Sequence, residues 1–188
     1  GAEIVSRSEW IKADEIATSA LTDPALQPLL EAPGARTEVP LAWTCGGIEC
    51  STGGVDLIAP GLLVDLKTTR TCDLRRWPSH AFAMQYHAQL AFYLDGAVSL
   101  GLLEPDARVI CAGIETAPPY AVTPLLLTPG LLDLGRRSYC LWLERLRSCE
   151  ENDMWPSYTE ALVEWDVPEW LKDAELGLEH EDDGEEAA

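Results

Sequence analysis

The stretch GVDLIAPGLLVDLKTT, residues 54–69, contains two apolar runs separated by the dipeptide Pro60-Gly61. Proline followed by glycine is a turn signal, and apolar runs of this length on either side of a turn are typical of paired strands. We therefore predict a β-hairpin with strands over residues 54–59 and 62–68.

Three charged residues interrupt this apolar hairpin: Asp56 on the first strand, and Asp65 and Lys67 on the second. Asp and Lys are poor strand formers, and an unpaired charge among apolar side chains is costly. Side chains alternate along a strand, so Asp65 and Lys67 share one face, and the hairpin can bring Asp56 beside Asp65. The simpler alternative is that two strand-end acids form an ordinary salt bridge with a lysine.

Two carboxylates and a strand carbonyl, that of Leu66, make a small all-oxygen site that suits Mg²⁺ or Mn²⁺ better than zinc. A metal in such a site lowers the pKa of bound water and polarises a phosphate. Lys67 can then position the attacking water or stabilise the charge that develops on the phosphate. This set of groups fits the hydrolysis of a phosphodiester.

Other polar residues are candidates for the same site. Gln89 and Tyr93 lie four residues apart, so they share a helix face and can hold a phosphate, a base or the acids. A core tyrosine with a hydrogen-bonded hydroxyl is the alternative for Tyr93. Glu38 is either a metal ligand, a group that orients one, or a solvated edge-strand acid. For His80 and His87 we expect structural roles.

The remaining pattern predicts an α/β or α+β fold with a central mixed sheet flanked by helices. Ser6-x-x-Glu9 is a capping box, and Thr128-Pro129 is a second helix start. The predicted elements are a helix from Ser6 to about Leu21, a short helix at Asp23-Pro24, a strand over 37–44, a helix over 81–94, strands over 108–114 and 120–127, and a helix over 128–152. We expect the aromatic segment 155–170 to pack on the body of the protein.

Composition places limits on the class of protein. The 188 residues carry a formal net charge of −19, and residues 1–172 remain acidic with 24 acids against 13 bases. We predict one domain over residues 1–172 and a disordered acidic tail over 173–188. No apolar run is long enough to cross a bilayer, so we expect a cytoplasmic protein without a membrane partner. The six cysteines contain no Cys-x-x-Cys pair, which favours reduced thiols.

An acidic chain that binds a polyanion needs a local basic surface. The candidate is the group Arg70, Arg75 and Arg76, which follows Lys67 within ten residues. A solvated surface without a ligand is the alternative explanation.

Several motifs taken together resemble the PD-(D/E)XK nuclease superfamily and, within it, the RecE-like exonucleases of the exonuclease VIII type and their phage relatives. These motifs are Glu38 with Trp43, Gly54-x-Asp56, Asp65-Leu-Lys67-Thr-Thr, Tyr86-His-x-Gln89-x-Ala-Phe-Tyr93, Pro118-Pro-Tyr120, Gly135-Arg-x-x-Tyr139, Trp155-Pro-x-Tyr158 and Pro168-x-Trp170. They cover about residues 3–171.

The resemblance implies a restriction-endonuclease-like core and a Mg²⁺-dependent exonuclease. Such an enzyme degrades one strand of linear double-stranded DNA from its 5′ end, in recombination or phage DNA metabolism. By the same likeness Asp56 and Asp65 bind metal, Lys67 is catalytic, Glu38 belongs to the acidic motif, and Gln89 and Tyr93 support the site. A ring-shaped homo-oligomer on DNA ends and a single-strand annealing protein as partner are also implied.

The chain departs from the RecE-like pattern in one respect. That pattern has a metal-associated His well upstream of the first acid, whereas the first His of this chain is His80. Two explanations are open: the sequence is a fragment that starts downstream of this His, or its function is met differently. Two other activities also remain open, namely a superfamily endonuclease or single-strand nuclease, and a DNA-binding or assembly module with vestigial acids.

Overall fold

The computed structural model describes residues 5–166. Its elements in chain order are α1 (Arg7–Thr22), α2 (Gln27–Leu30), β1 (Arg36–Val39), β2 (Ala42–Cys45), β3 (Ile48–Ser51), β4 (Val55–Ala59), β5 (Leu62–Thr69), α3 (Trp77–Ala83), α4 (Tyr86–Ser99), β6 (Arg108–Glu115), β7 (Val122–Leu126) and α5 (Pro129–Asn152). The predicted hairpin is confirmed as β4 and β5, and the predicted caps at Ser6 and Thr128 begin α1 and α5.

A five-stranded sheet organises the fold in the order β1-β4-β5-β6-β7. The β5–β6 pair is parallel, and the other three pairs are antiparallel. A parallel pair requires a crossover connection, which α3 and α4 provide here. The expected mixed sheet is therefore confirmed.

Helices cover both faces of this sheet. One face packs on α4 and α5 through a core that includes Leu63, Val109 and Leu90. The other face packs on α1 and α2 through a core that includes Val64 and Ala112. With both faces covered, the first four residues of β5 are all buried, as is usual for a strand inside a sandwich.

Helices α4 and α5 pack closely at Gly135. A Cβ atom added there would lie 2.2 Å from the carbonyl oxygen of His87 and 3.0 Å from Cβ of Ala91. A second link joins the helices near this point, because Asp95 accepts hydrogen bonds from Tyr139 Oη at 2.6 Å and from Arg136. The two helices thus pack almost backbone to backbone beside a half-buried carboxylate.

The prediction of one strand over residues 37–44 is wrong. Pro40 lies between β1 and β2, and these two strands belong to different sheets. Proline lacks the N–H that a continuous ladder requires, so the chain leaves the large sheet at this point. Strand β2 instead pairs with β3, which the sequence pattern did not indicate.

The single helix predicted over residues 81–94 is also wrong. Two helices occupy this region, and Gln85 between them has a left-handed backbone with φ of 60°. Met84 and Gln85 are good helix formers, so local propensity gives no sign of this break. The short second helix likewise begins at Gln27 rather than at Pro24, although Asp23 Oδ1 accepts hydrogen bonds from the backbone of Ala25 and Leu26.

The aromatic segment after α5 does not pack on the body as expected. Within its described part, to residue 166, the side chains of Trp155, Tyr158 and Trp165 are largely exposed. The rest of this segment and the acidic tail lie outside the described residues. Among residues 5–166 no helix is both long and apolar enough to cross a membrane. The six cysteines, all within this range, are free thiols, as predicted.

Candidate active site

The two aspartates of the hairpin lie side by side. The ladder between β4 and β5 ends at the pair of Leu57 and Val64, and Asp56 and Asp65 are the next residue on each strand beyond it. Asp56 Oδ2 accepts a hydrogen bond of 2.5 Å from the backbone N–H of Leu66, which fixes its orientation toward β5. Asp65 is 3% exposed, whereas Asp56 is half-buried. The predicted proximity of the two acids is confirmed.

Lys67 closes one side of this acidic pair. Its Nζ lies 2.7 Å from Asp65 Oδ2 and 4.9 Å from the centroid of the Tyr86 ring. A lysine beside a buried carboxylate and over an aromatic face is held by both charge and cation–π attraction. The ammonium group is therefore fixed near the acids.

Burial makes this cluster electrostatically unusual. Burial raises the pKa of Asp65 and the negative charge of Asp56 raises it further, while the hydrogen bond and charge of Lys67 oppose this shift. Burial acts to lower the pKa of Lys67, but the hydrogen bond and charge of Asp65, with the charge of Asp56, outweigh it and leave that pKa raised. Two adjacent carboxylates in a buried setting favour a nearby cation.

The donor set fits a hard divalent cation. Asp56 lies close enough to Asp65 for its charge to act on that carboxyl group, and the oxygens of both can join the carbonyl of Leu66 and water as ligands. In residues 5–166 no group of three or more His, Cys, Asp or Glu side chains is placed to hold a metal ion. A metal would therefore depend on two carboxylates, backbone and water.

Glu38 does not join the two aspartates in this structure. It lies in β1 between Thr37 and Val39, which pair with Leu57 and Val55, so its backbone is across from Asp56. Its φ is 50°, its side chain is exposed, and its Oε2 lies 3.0 Å from the position that a Cβ of Gly54 would occupy. A ligand set of three acids is thus not assembled, and a role for Glu38 stays a prediction.

Gln89 and Tyr93 form the expected pair on α4. Gln89 Nε2 donates a hydrogen bond of 2.8 Å to Tyr93 Oη, and both side chains are half-buried. Across the described part of the chain, neither side chain hydrogen-bonds to Asp56, Asp65 or Lys67. Their support of the site therefore stays a prediction.

Tyr86 is a neighbour of the site that the sequence analysis placed in a motif but did not name as a site residue. Tyr86 precedes Gln89 by three residues and Tyr93 by seven, so all three share one face of α4. This spacing could have indicated from the sequence that Tyr86 lies near the site. The break at Gln85 starts α4 at Tyr86, where the ring meets Lys67.

The basic residues Arg70, Arg75 and Arg76 lie on the loop that leaves the site end of β5, and all three are exposed. The loop is held in place at Cys72, whose backbone N–H donates to Glu115 Oε1 at 2.8 Å and whose carbonyl accepts from Thr123 Oγ1 at 3.0 Å. Within residues 5–166 none of the three arginines forms a salt bridge. Their charges are available to a polyanion.

The two histidines near the site differ in environment. His80 is exposed on α3. His87 is buried and stacks on Phe82 with ring centroids 4.5 Å apart, and burial lowers its pKa. Neither histidine forms a hydrogen bond or an ion pair with Asp56 or Asp65, which agrees with the structural roles expected for them.

The chain matches the PDDEXK-like domain of unknown function (DUF3799) over residues 4–163. It belongs to this family. The likeness to the PD-(D/E)XK superfamily, first seen in the hairpin motifs, is thereby confirmed. Membership does not distinguish the RecE-like type, which stays a prediction.

Solved structures agree on the fold. The chain superposes on a crystal structure of a proposed exonuclease from Eubacterium rectale with a TM-score of 0.60 at 15% identity, covering 91% of this chain and 67% of that one. A crystal structure of SSO0001 matches with a TM-score of 0.36 at 19% identity, covering 72% of this chain and 61% of that one. No curated protein matches the chain.

Proposed function

We propose that the protein is a metal-dependent deoxyribonuclease that hydrolyses phosphodiester bonds at the ends of linear double-stranded DNA. The observation that carries this proposal is the convergence of Asp56, Asp65 and Lys67 at a buried hairpin end. One buried and one half-buried carboxylate beside an ammonium group cost stability to desolvate, and such clusters are concentrated at functional sites, so the arrangement favours a functional site over a structural salt bridge.

Asp56 and Asp65, with the carbonyl of Leu66, are the residues that would hold Mg²⁺ or Mn²⁺. When bound, such a cation supplies a water of lowered pKa and neutralises charge on the scissile phosphate. Asp56 is kept in position by the N–H of Leu66, and Asp65 is shielded from solvent by the sheet around it. Both ligands are therefore oriented before substrate arrives.

Lys67 is the residue that acts on the substrate directly. Its Nζ is 2.7 Å from Asp65 Oδ2, within one hydrogen bond of any group held at the acids. From this place the ammonium group can donate to the attacking water or to a phosphate oxygen, where it stabilises the negative charge of the transition state. The ring of Tyr86 limits the directions that the lysine can take.

The choice of exonuclease over endonuclease draws on the RecE-like motifs and on the name of the E. rectale structure. Digestion of one strand from its 5′ end, a role in recombination or phage DNA metabolism, assembly into a ring and cooperation with a single-strand annealing protein belong to the same proposal. The basic loop at Arg70, Arg75 and Arg76 is the surface we assign to the DNA backbone.

The test is Mg²⁺-dependent digestion of a linear duplex labelled at one 5′ end, beside a closed circle of the same sequence. We expect loss of the linear DNA alone, and a decrease of about a hundredfold to a thousandfold with Lys67→Ala, as for removal of a transition-state donor. Lys12→Ala, which changes an exposed lysine on α1, is the matched control and keeps full activity.

Each alternative has its own result in this assay. Cleavage of the closed circle indicates an endonuclease, and cleavage of only the denatured, single-stranded form of the labelled DNA, run as a third substrate, indicates a single-strand nuclease. Unchanged turnover of Lys67→Ala would remove the lysine from the mechanism. No cleavage together with no Mn²⁺ binding would indicate a module with vestigial acids.

A further inference from the structure

An apolar groove lies beside the candidate active site, between the start of α4 and the middle of α5. Its volume is about 350 Å³, and its walls include Met84, Tyr86, Gln89, Phe92, Trp142 and Leu143. Met84 is 53% and Trp142 51% exposed, so large apolar and aromatic surfaces face the groove without a cover from the described residues.

Tyr86 joins the groove to the acidic pair. Its ring lies 4.9 Å from Lys67 Nζ, and the same residue lines the groove. Gln89, whose amide donates to Tyr93, also lines it. The groove and Lys67 are therefore separated by the side chain of one tyrosine, which is close enough for neighbouring nucleotides of one strand to reach both.

One basic residue, Arg145, lies further along the same surface. Beyond Trp142 a second, smaller depression of about 270 Å³ is lined by Arg145 and by Trp155, which is 64% exposed. Arg145 forms no salt bridge with any residue in the range 5–166. Aromatic faces that alternate with an unpaired cation form the pattern by which proteins hold unpaired nucleotides.

We propose that this groove is a subsite for the unpaired bases of the DNA strand next to the scissile phosphate, with Trp142 as the main stacking surface and Arg145 as a phosphate contact. This assignment rests on the proposed nuclease function and adds to it the chemistry of the substrate: a single-stranded end or a frayed duplex end. Stacking on an aromatic ring accepts every base, so the groove provides affinity without sequence preference.

The test uses protein with Lys67→Ala, which we expect to bind DNA without cutting it, in Mg²⁺. The probes are duplexes with a short single-stranded overhang that carries 2-aminopurine, with overhangs of either polarity, and a blunt duplex for comparison. We expect quenching of 2-aminopurine on binding, and about a tenfold weaker affinity for one overhang probe when Trp142→Ala is added. The affinity for the blunt duplex should change much less.

Two further variants separate stacking from folding. Trp142→Phe keeps an aromatic face and should restore most of the affinity and the quenching. Leu141→Ala removes a neighbouring side chain on α5 that is 63% exposed and lines neither depression, so it should bind like the parent protein.

The outcomes distinguish this subsite from the function on which it rests. If the unmodified protein digests DNA but Trp142→Ala binds and quenches like Leu141→Ala, the subsite is refuted and the nuclease stands. If Trp142→Ala changes only the sedimentation of the protein and not its DNA affinity, the groove holds a second copy of the chain and the subsite is again refuted. If no DNA is bound or digested at all, the nuclease function itself fails.

Discussion

At the scale of single residues, Asp65 is the centre of the site. Its carboxylate is 3% exposed, adjacent to Asp56, and paired with Lys67 at 2.7 Å. Burial and the neighbouring acid both raise its pKa, so the ionised form depends on nearby positive charge. In the arrangement described here Lys67 supplies that charge, and a divalent cation at the two acids would supply more.

This dependence predicts a measurable effect of metal on stability. At a Mg²⁺ concentration about a hundred times its Kd, binding to the folded state adds about 2.7 kcal/mol, which raises Tm by roughly 5–10 °C for a chain of this size. Asp65→Asn should abolish this rise, because it removes one of the two carboxylate ligands. Differential scanning fluorimetry with and without Mg²⁺ measures it.

The matched control is Asp106→Asn, which changes an exposed acid in the loop before β6. This variant should keep the full rise in Tm. An equal rise in Asp65→Asn and in the unmodified protein would place the metal elsewhere.

At the scale of elements, the contact between α4 and α5 positions the face of α4 that meets the site. Tyr86, Gln89 and Tyr93 lie on α4, and the backbone of this helix touches α5 at Gly135. The close approach leaves no space for a side chain at that point. Any shift of α5 would thus move the Tyr86 ring relative to Lys67 and would change the groove between the helices.

Gly135→Ala should therefore destabilise the fold. The new Cβ would lie 2.2 Å from the carbonyl oxygen of His87, so one helix must move, at a cost of about 3 kcal/mol and a decrease in Tm of roughly 6–12 °C. Thermal unfolding followed by circular dichroism measures the change.

Gly130→Ala offers a comparison on the same helix. No atom lies within 4 Å of a Cβ at Gly130, and alanine is a better helix former, so Tm should stay the same or rise slightly. Equal stability of the two variants would mean that α4 and α5 do not approach each other as described.

At the scale of the whole molecule, charge is divided unevenly. The net charge of −19 opposes binding to DNA. Lys67 lies near the end of β5, however, and the loop that follows this strand is exposed and basic, with Arg70, Arg75 and Arg76. Under the proposed function, contact with DNA would be local, and repulsion elsewhere would favour the orientation in which the basic loop and the site meet the phosphates.

The salt dependence of DNA binding tests whether the basic loop makes the contact with the phosphates. Each phosphate contact contributes about −0.9 to the slope of log Kobs against log salt concentration for duplex DNA. The double variant Arg75→Ala with Arg76→Ala should make the slope less negative by about 2. Fluorescence anisotropy with a labelled duplex over a series of salt concentrations gives the slope.

Arg108→Ala is the appropriate control for this measurement. Arg108 is exposed and pairs with Leu62 at the start of β5, at the opposite end of the strand from the basic loop. Its removal should leave the slope unchanged. A slope that responds equally to both variants would indicate diffuse attraction rather than a contact at the loop.

The amino-acid sequence by itself determined the hairpin, the proximity of Asp56 to Asp65, the caps of α1 and α5, and the mixed α/β class. These features follow from short-range rules: side chains alternate along a strand, Pro60-Gly61 makes a turn, and a capping side chain reaches only a few residues. They depend little on the rest of the chain.

Only the tertiary structure decided the order of the strands, the separation of β1 from β2, the break at Gln85 and the contact of Tyr86 with Lys67. It also decided that Glu38 stays apart from the two aspartates and that a groove opens between α4 and α5. The physical reason is that these features arise from packing between residues distant in sequence, which overrides local propensity: Met84 and Gln85 favour a helix, yet the chain turns there and brings Tyr86 to the site.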